Sequence, residues 1–300
     1  MKYNWSIIGH EKQLEMIEAD IESGNLAHGY LLAGTNSIGK STVAKKMAGI
    51  LQCDNDFCHE CPTCAQVRNG SHIDTIEIND DGSSIKIDQV RKLIERLSMS
   101  RQSKYRIVLI QTIERMTIEA ANSFLKILEE PPTHTIFLMT TDNIRALLPT
   151  VTSRVRIVKF QSVSVGFLKE KLAKLYPDSE EEVIEHVSLL SLGKTGKAVH
   201  LMENPDSLAA YMKTYRDVQL FLERENMTDR FVYVEELVAE PDRIESFLDI
   251  LTHVLRTKLL EGSMGKRKCV NTISKIGETA MLLRKNVNAR LALENLMLSL

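Results

Sequence analysis

A phosphate-binding loop is the clearest chemical feature of this sequence. Residues 34–41 match the pattern G-x-x-x-x-G-K-[ST] at every specified position. The two glycines permit a tight backbone path that aims N–H groups at phosphate oxygens, the lysine can reach the terminal phosphates, and the serine can hold Mg²⁺. ATP or ADP is the ligand that such a loop takes. The predicted nucleotide-contacting residues are Gly34, Thr35, Asn36, Ser37, Ile38, Gly39, Lys40 and Ser41.

Hydrolysis by this loop needs a carboxylate at the end of a neighbouring strand to hold Mg²⁺, usually with a second carboxylate that orients water. The obvious strand, residues 107–110, ends in Gln111 and Thr112. An amide oxygen is a poor substitute for a carboxylate opposite a divalent ion, and a threonine is no base at neutral pH. Glu114 is either a displaced substitute or a solvated glutamate at a helix start. The sequence therefore favours a chain that binds ATP weakly or not at all, and it weakens the case for Mg²⁺.

Four cysteines form a second chemical cluster shortly after the phosphate loop. Their spacing is Cys53-x₄-Cys58-x₂-Cys61-x₂-Cys64. Four thiolates can close a tetrahedral shell around Zn²⁺ and leave no open position, so we predict a structural zinc site at these four residues. His59 is an alternative ligand but is more simply a solvent-facing neighbour. Cys269 stands alone beside a basic triplet and is interpreted as an ordinary free thiol.

Length and charge limit the classes of function. The chain has 300 residues with 38 basic and 40 acidic side chains, for a formal charge of −2. A protein that bound nucleic acid by phosphate neutralisation alone would normally carry a basic excess, so that class is excluded, although a local basic patch is not. We expect neither a signal peptide nor a membrane span, because the first residues lead into a charged helical pattern and no apolar run approaches the ~18 residues of a span. We expect a cytoplasmic protein without a membrane partner, in a reducing compartment where clustered cysteines bind metal.

Hydrophobic periodicity divides the chain into three predicted domains. Up to residue 162, short apolar runs alternate with helical patterns, which predicts an α/β fold with a mostly parallel sheet covered on both faces. Beyond residue 162 every strong pattern has helical spacing. We predict a P-loop domain over residues 1–162 with the zinc module at 53–64, a small helical lid over 163–205 and a helical C-terminal domain over 206–300. The predicted strands are residues 29–33, 74–78, 107–110, 135–139 and 155–160.

Several motifs occur together along the first half of the chain. They are the phosphate loop, the four-cysteine insertion, Asn122-Ser-Phe-Leu-Lys-Ile-Leu-Glu-Glu-Pro-Pro132 and Thr152-Ser-Arg154. In this combination they resemble the bacterial clamp-loader family of AAA+ proteins, and the segment Trp5-Ser-Ile-Ile-Gly9 is similar to that family's adenine-side box. The resemblance is closest to the delta-prime subunits of DNA polymerase III and covers about residues 5–160.

The resemblance implies a hetero-pentameric ring that loads a sliding clamp onto primed DNA during replication. The implied partners are gamma/tau-like motor subunits, a delta-like clamp-opening subunit, the sliding clamp and, through the complex, primer-template DNA. Arg154, with Ser153 beside it, would be an arginine finger acting in trans on a neighbour's ATP, a role worth about 10³–10⁵ in rate. Without the motif, Arg154 would be interpreted as a surface arginine. The C-terminal helices would form the ring's collar, although an intramolecular bundle fits the same pattern.

Two departures from the family's motor subunits favour a delta-prime-like role. The motor pattern carries Asp-Glu where Gln111 and Thr112 stand, and a sensor arginine where Gly196 stands. Loss of these groups with retention of Arg154 indicates a subunit of the polymerase assembly that activates its neighbour but has no polymerase or ATPase activity of its own. An active gamma/tau-like motor is the first alternative. A P-loop nucleotide kinase is the second, although its chemistry needs neither the cysteine insertion nor the helical tail.

Overall fold

Short runs of aliphatic and β-branched residues form a five-stranded sheet in the computed structural model, which describes residues 2–80, 84–223, 226–262, 265–284 and 287–299. The strands are β1 (Gly29–Ala33), β2 (Thr75–Ile78), β3 (Arg106–Ile110), β4 (Thr135–Thr141) and β5 (Arg156–Lys159). They lie in the order β2-β3-β4-β1-β5, and every neighbouring pair is parallel. The predicted α/β fold with a parallel sheet is confirmed.

Helices cover both faces of this sheet. They are α1 (Glu11–Glu22), α2 (Lys40–Gln52), α3 (Pro62–Arg68), α4 (Ile87–Ser98), α5 (Ile118–Glu129) and the short α6 (Pro149–Thr152). The next helix along the chain is α7 (Val165–Leu175). Successive residues of a strand point to opposite faces. Tyr30 and Leu32 of β1 accordingly pack in one apolar core with Met47 of α2, whereas Leu31 packs in another with Phe124 of α5. Burial on both faces explains why the strands read as continuous apolar runs.

The described chain divides into two compact units. Unit 1 runs to Asp178 and also includes Gly193–Val199, and it contains the sheet. Unit 2 comprises Ser179–Leu192 and continues from His200, and its described elements are all helices. The later helices are α8 (Glu181–Leu190), α9 (Thr195–Glu203), α10 (Pro205–Glu223), α11 (Met227–Ala239), α12 (Asp242–Glu261), α13 (Lys266–Arg284) and α14 (Ala289–Met297). The helical C-terminal region is as predicted, while the boundaries at residues 162 and 205 stay a prediction.

The apolar stripes that predicted the later helices form the core of unit 2. Phe247, Leu251 and Leu255 of α12 have no exposed surface, and they cluster with Val218 of α10 and Leu293 of α14. Charged residues separate these positions along each helix, so the helices are amphipathic rather than apolar all round. In the part of the chain that the structure describes, no helix has both the length and the apolar composition needed to cross a membrane.

Candidate functional site

The phosphate loop connects β1 to α2 and directs its lysine inward. α2 begins at Lys40, directly after Gly39, whose φ of 99° lies in the left-handed region that favours glycine. The Lys40 side chain is only 6% exposed. Its Nζ donates to the carbonyl oxygens of Gly34 at 2.9 Å and Thr35 at 2.8 Å, and to Asp142 Oδ1 at 2.8 Å. All three N–H donors of the ammonium group therefore have acceptors within the chain, and a phosphate must displace at least one of them.

Asp142 joins this site although no sequence motif includes it. It directly follows β4, and β4 lies next to β1, so the end of β4 meets the start of the phosphate loop. The backbone N–H of Asp142 donates to Glu114 Oε1 at 2.8 Å. The second carboxylate oxygen of Glu114 is buried and has no hydrogen-bond partner among the described residues. Glu114 is thus a half-buried neighbour of Asp142 rather than a freely solvated side chain.

The end of β3 presents neutral groups to the phosphate loop. Ser41 Oγ donates to Gln111 Oε1 at 3.4 Å, so the amide faces the hydroxyl that was predicted to hold Mg²⁺. Thr112 adopts a φ of 48°, and its N–H donates to Thr140 Oγ1 at 3.1 Å. An amide oxygen and a hydroxyl carry only partial charges, and Mg²⁺ in nucleotide sites is normally held by carboxylates together with phosphates. These contacts give Ser41 a neutral partner where hydrolysis requires an anionic one.

The first turn of α9 packs directly on the phosphate loop, within unit 1. Thr195 Oγ1 donates to the carbonyl oxygen of Ile38 at 3.0 Å. A Cβ atom on Gly196 would lie 2.8 Å from the carbonyl oxygen of Ser37 and 2.9 Å from the nitrogen of Gly39. Both distances are shorter than a Cβ atom tolerates, so any larger residue at position 196 would push the helix and the loop apart. The residue that stands where the motor pattern has its sensor arginine is therefore in direct contact with the loop.

Arg154 is held at the surface by three contacts beside the end of α6. Its Nη2 lies 2.9 Å from Glu129 Oε1, at the last residue of α5. Its Nη1 donates to the carbonyl oxygen of Thr150 at 2.9 Å and to Ser153 Oγ at 3.3 Å. The side chain is 35% exposed. Val151, which is buried in the same apolar core as α5, fixes α6 and with it the arginine.

The four predicted zinc ligands converge on one point. Their Sγ atoms all lie within 4.8 Å of one another. Cys53 Sγ lies 3.8 Å from both Cys58 and Cys61 Sγ, and Cys58 Sγ lies 3.9 Å from Cys64 Sγ. A Zn–S distance of ~2.3 Å gives tetrahedron edges of about 3.8 Å, whereas a disulfide would bring two sulfurs to about 2.0 Å. The cluster is compatible with zinc binding, and its thiols are free.

The pKa values of two of these thiols differ strongly. Burial raises the pKa of the Cys53 thiol, but hydrogen bonds from backbone N–H groups, including that of Asn55 at 3.4 Å, outweigh burial and bring the pKa down to about 7. Burial raises the pKa of Cys64 to about 12. A metal ion bound at these four sulfurs would favour the thiolate form of Cys64, because metal ligation requires the deprotonated thiol.

One aromatic ring docks the cysteine segment on α2. Phe57 is nearly buried, and a Cβ atom on Gly49 would lie only 2.4 Å from the Phe57 ring. The ring therefore occupies the space that any larger side chain at position 49 would need. α2 begins at Lys40 of the phosphate loop and ends at Gln52, directly before the first cysteine. A single helix thus links the two chemical clusters.

The N-terminal segment is tied to α1 and α2 through buried polar groups. Glu18 of α1 is 6% exposed and accepts hydrogen bonds from the N–H of Tyr3 at 3.0 Å and from Trp5 Nε1 at 2.8 Å. Lys46 of α2 donates to the carbonyl oxygen of Trp5. These bonds hold the segment that resembles an adenine-side box against the phosphate-loop domain.

The sequence motifs do not indicate three of the contacts at this site. They are Asp142 with Lys40, Glu129 with Arg154, and the first turn of α9 with the phosphate loop. Glu129 stands in the Leu-Glu-Glu-Pro-Pro run, but nothing local in that run indicates its partner. Asp142 follows the predicted strand 135–139 by three residues, and an acidic residue just beyond a strand end is the signal that points to it.

Comparisons with known proteins agree with these features. Residues 9–164 match the protein family described as "DNA polymerase III, delta subunit". The DNA polymerase III subunit gamma of Buchnera aphidicola (Acyrthosiphon pisum) is 31% identical over 216 residues, 69% of this chain, which spans only 60% of that protein. The DNA polymerase III subunit delta' of Bacillus subtilis is 28% identical over 82% of this chain and 76% of that protein. A "DNA polymerase III, gamma subunit-related protein" of Thermotoga maritima shares the fold, with a TM-score of 0.52 and 20% identity over 95% of this chain and 97% of that one.

Proposed function

The chain belongs to the DNA polymerase III delta subunit family, because the match at residues 9–164 covers more than half of its 300 residues, and from this premise we propose that it is a delta-prime-like clamp-loader subunit. In this role it supplies Arg154 in trans to the ATP of a neighbouring motor subunit while the ring loads a sliding clamp onto primed DNA. The chain itself hydrolyses ATP weakly or not at all. Its proposed partners are gamma/tau-like motor subunits, a delta-like clamp-opening subunit, the clamp and primer-template DNA, in the cytoplasm.

One observation carries the assignment of a non-hydrolysing subunit: the group that faces Ser41 from the end of β3 is the amide of Gln111. Hydrolysis in P-loop proteins requires a carboxylate that holds Mg²⁺ between the β- and γ-phosphates and a group that orients the attacking water. Gln111 and Thr112 offer neither a negative charge nor a base at neutral pH. Glu114 accepts a hydrogen bond from the backbone N–H of Asp142, so its carboxylate contacts the loop after β4.

The phosphate loop itself supports weak nucleotide binding. Lys40 already has three acceptors, one of them the carboxylate of Asp142 at 2.8 Å. Binding of ATP or ADP must exchange that ion pair for one with phosphate, so the net gain is smaller than for an unpartnered lysine. The first turn of α9 also contacts the loop through Thr195 and Gly196. Both features favour a loop that serves as a folded element rather than as a turnover site.

The surface position of Arg154 supports the in-trans role. A finger must reach a phosphoryl group on another chain, and Arg154 is partly exposed and lies beside a short helix rather than inside the core. Its guanidinium is always charged and can bond phosphate oxygens in a planar fork. Stabilisation of the transferred phosphoryl group by such an arginine is worth about 10³–10⁵ in rate.

We further propose that the cysteine cluster holds one structural Zn²⁺. The residues that would hold it are Cys53, Cys58, Cys61 and Cys64, whose sulfur separations fit a tetrahedral shell. Four protein ligands leave no position for water, so the ion supplies folding energy and no chemistry. Metal analysis should return about one zinc per chain, and a Cys61→Ser protein that kept its full zinc content would reject the site.

Steady-state phosphate release by the isolated chain tests the non-hydrolysing assignment. We expect release at the background rate with ATP and Mg²⁺, with and without primed DNA. The matched control is Lys40→Ala, which removes the lysine of the phosphate loop. Release above background that disappears in Lys40→Ala would overturn the assignment in favour of an active motor.

A reconstituted ring tests Arg154. The chain is mixed with the motor and clamp-opening subunits of its own organism, and ATPase is measured with clamp and primed DNA. We expect Arg154→Ala to leave ring assembly intact and to lower the ATPase rate, whereas Arg145→Ala, an exposed arginine in the turn before α6, leaves the rate unchanged. A ring with Arg154→Ala that hydrolyses ATP at the wild-type rate would refute the finger.

An active gamma/tau-like motor is the second candidate. The similarity to the Buchnera DNA polymerase III subunit gamma, 31% identity over 216 residues, favours this candidate. The phosphate loop also retains every motif residue. The neutral groups at the end of β3 oppose this candidate, and the phosphate-release experiment separates the two. The nucleotide-kinase alternative is not carried further, because the chain belongs to a DNA polymerase III family.

A further inference from the structure

We propose that Glu129 is a positioning residue for Arg154: its carboxylate holds the guanidinium in the orientation from which it meets a neighbouring subunit's phosphate. The inference rests on the arginine-finger role proposed above and adds to it a residue in another helix. Arg154 Nη2 lies 2.9 Å from Glu129 Oε1, and 25 residues separate the two along the chain.

The contact is built by two helices that share one apolar core. α5 is fixed by Phe124, Ile127 and Leu128, all of which are buried, and α6 is fixed by Val151 in the same cluster. α5 ends at Glu129, and two prolines follow shortly after it and prevent its continuation. The position of the carboxylate therefore follows from the packing of α5, and the position of the arginine follows from that of α6.

Local electrostatics alone would not favour a carboxylate at this place. The C-terminal end of a helix carries partial negative charge, which disfavours an acidic side chain in the last turn and favours a basic one. Arg154 brings a positive charge to this end of α5, so the ion pair compensates for a glutamate that the helix by itself would disfavour. Its Nη1 meanwhile donates to the carbonyl oxygen of Thr150 in α6. One guanidinium thus bridges the ends of two helices.

The bridge leaves part of the guanidinium available. An arginine has five N–H donors. Arg154 Nη1 donates hydrogen bonds to Thr150 and Ser153, and Nη2 forms the ion pair with Glu129, so at most three donors are engaged within the described residues. Two donors remain for phosphate oxygens, and the side chain is 35% exposed. Glu129 therefore orients the group without consuming it.

Glu130 provides the matched control. It is adjacent to Glu129, belongs to the same Leu-Glu-Glu-Pro-Pro run, is exposed, and has no ion pair with a described residue. A change at Glu130 alters the charge of this surface by the same amount as one at Glu129, but it leaves Arg154 with all three of its contacts.

The experiment measures ATPase in the reconstituted ring with clamp and primed DNA, with kcat and KM for ATP determined separately. An exposed ion pair changes the population of one orientation by a factor of about 1.4–5. We expect Glu129→Ala to lower kcat about two- to fivefold with KM unchanged, Glu129→Gln to recover part of the loss because its amide oxygen still accepts, and Glu130→Ala to match wild type. In the Arg154→Ala background, Glu129→Ala should produce no further loss. Thermal melting of each variant confirms that it folds.

The outcomes separate this inference from the proposed function. If Arg154→Ala lowers kcat but Glu129→Ala behaves like Glu130→Ala, the positioning role is wrong and the finger stands. If Glu129→Ala lowers kcat equally with and without Arg154, the glutamate acts through another contact and the inference is again overturned. If Arg154→Ala itself leaves kcat at the wild-type value, the finger fails, and the positioning role fails with it.

Discussion

Removal of zinc should unfold the cysteine segment and leave the sheet intact. Ordering the twelve residues 53–64 costs about 12–24 kcal/mol of backbone entropy, at about 1–2 kcal/mol per residue. Burial of Phe57 against α2 contributes about 1.5–3 kcal/mol in return. A structural zinc site contributes about 10–16 kcal/mol. With zinc bound, the favourable contributions roughly offset the entropy cost of ordering the segment. Without zinc, burial of Phe57 offsets only a small part of that cost.

Hydrogen exchange followed by mass spectrometry measures this directly. The protein is exchanged before and after treatment with a strong zinc chelator, with zinc content determined on the same samples. We expect peptides covering residues 53–64 to lose nearly all protection, while peptides covering β1 and β4 keep theirs. Cys269→Ser is the control for cysteine loss outside the cluster, because Cys269 is buried in unit 2 and is not part of the four-sulfur group.

The refuting result is specific. If metal analysis shows that zinc has left and the segment exchanges as slowly as before, apolar packing alone orders it and the balance above is wrong. If the untreated protein carries no zinc and the segment is still protected, the four cysteines are not a zinc site.

Three further changes test other parts of the structure. Glu18→Ala removes a buried acceptor of several N–H groups, which should cost at least about 1.5–3 kcal/mol and shift the emission of Trp5, the only tryptophan, to longer wavelength. Gly49→Val places a side chain where the Phe57 ring lies, so overpacking of about 1–3 kcal/mol should lower the melting temperature and speed zinc loss to a chelator. Burial lowers the pKa of His10 below 6.5, so the unfolded chain binds more protons than the folded one. Stability should therefore fall as the pH drops below about 6.5. In thermal melts, His10→Gln should weaken this dependence of the melting temperature on pH.

Local features of this protein could be predicted because short-range geometry determines them. The eight residues of the phosphate loop require a strand before and a helix after, and β1 and α2 begin where the pattern places them. The cysteine spacing is equally local, and the four sulfurs converge as expected. The fold class could be predicted from the alternation of short apolar runs with helical patterns. Strands of a parallel sheet that is buried on both faces are typically continuous apolar runs, and the helices connect them.

Contacts between distant segments could not be predicted in this way. Asp142 reaches Lys40 across 102 residues because β4 is the neighbour of β1, and strand order is a property of the whole sheet. Glu129 reaches Arg154 because α5 and α6 share a core. Periodicity also overestimates burial at helix ends. Leu175 continues the apolar stripe of α7 in the sequence, but it is the last residue of that helix and is 51% exposed.

The membership of residues 193–199 in unit 1 has a practical meaning for dissection of the chain. The polypeptide passes from unit 1 to unit 2 after Asp178, returns at Gly193 and leaves again after Val199. A fragment that stops at residue 178 would include the whole sheet but lack Thr195, and the carbonyl oxygen of Ile38 would lose that hydrogen bond. A continuous fragment that contains all of unit 1 must therefore also contain residues 179–192 of unit 2. A fragment designed for expression of unit 1 should extend through residue 199.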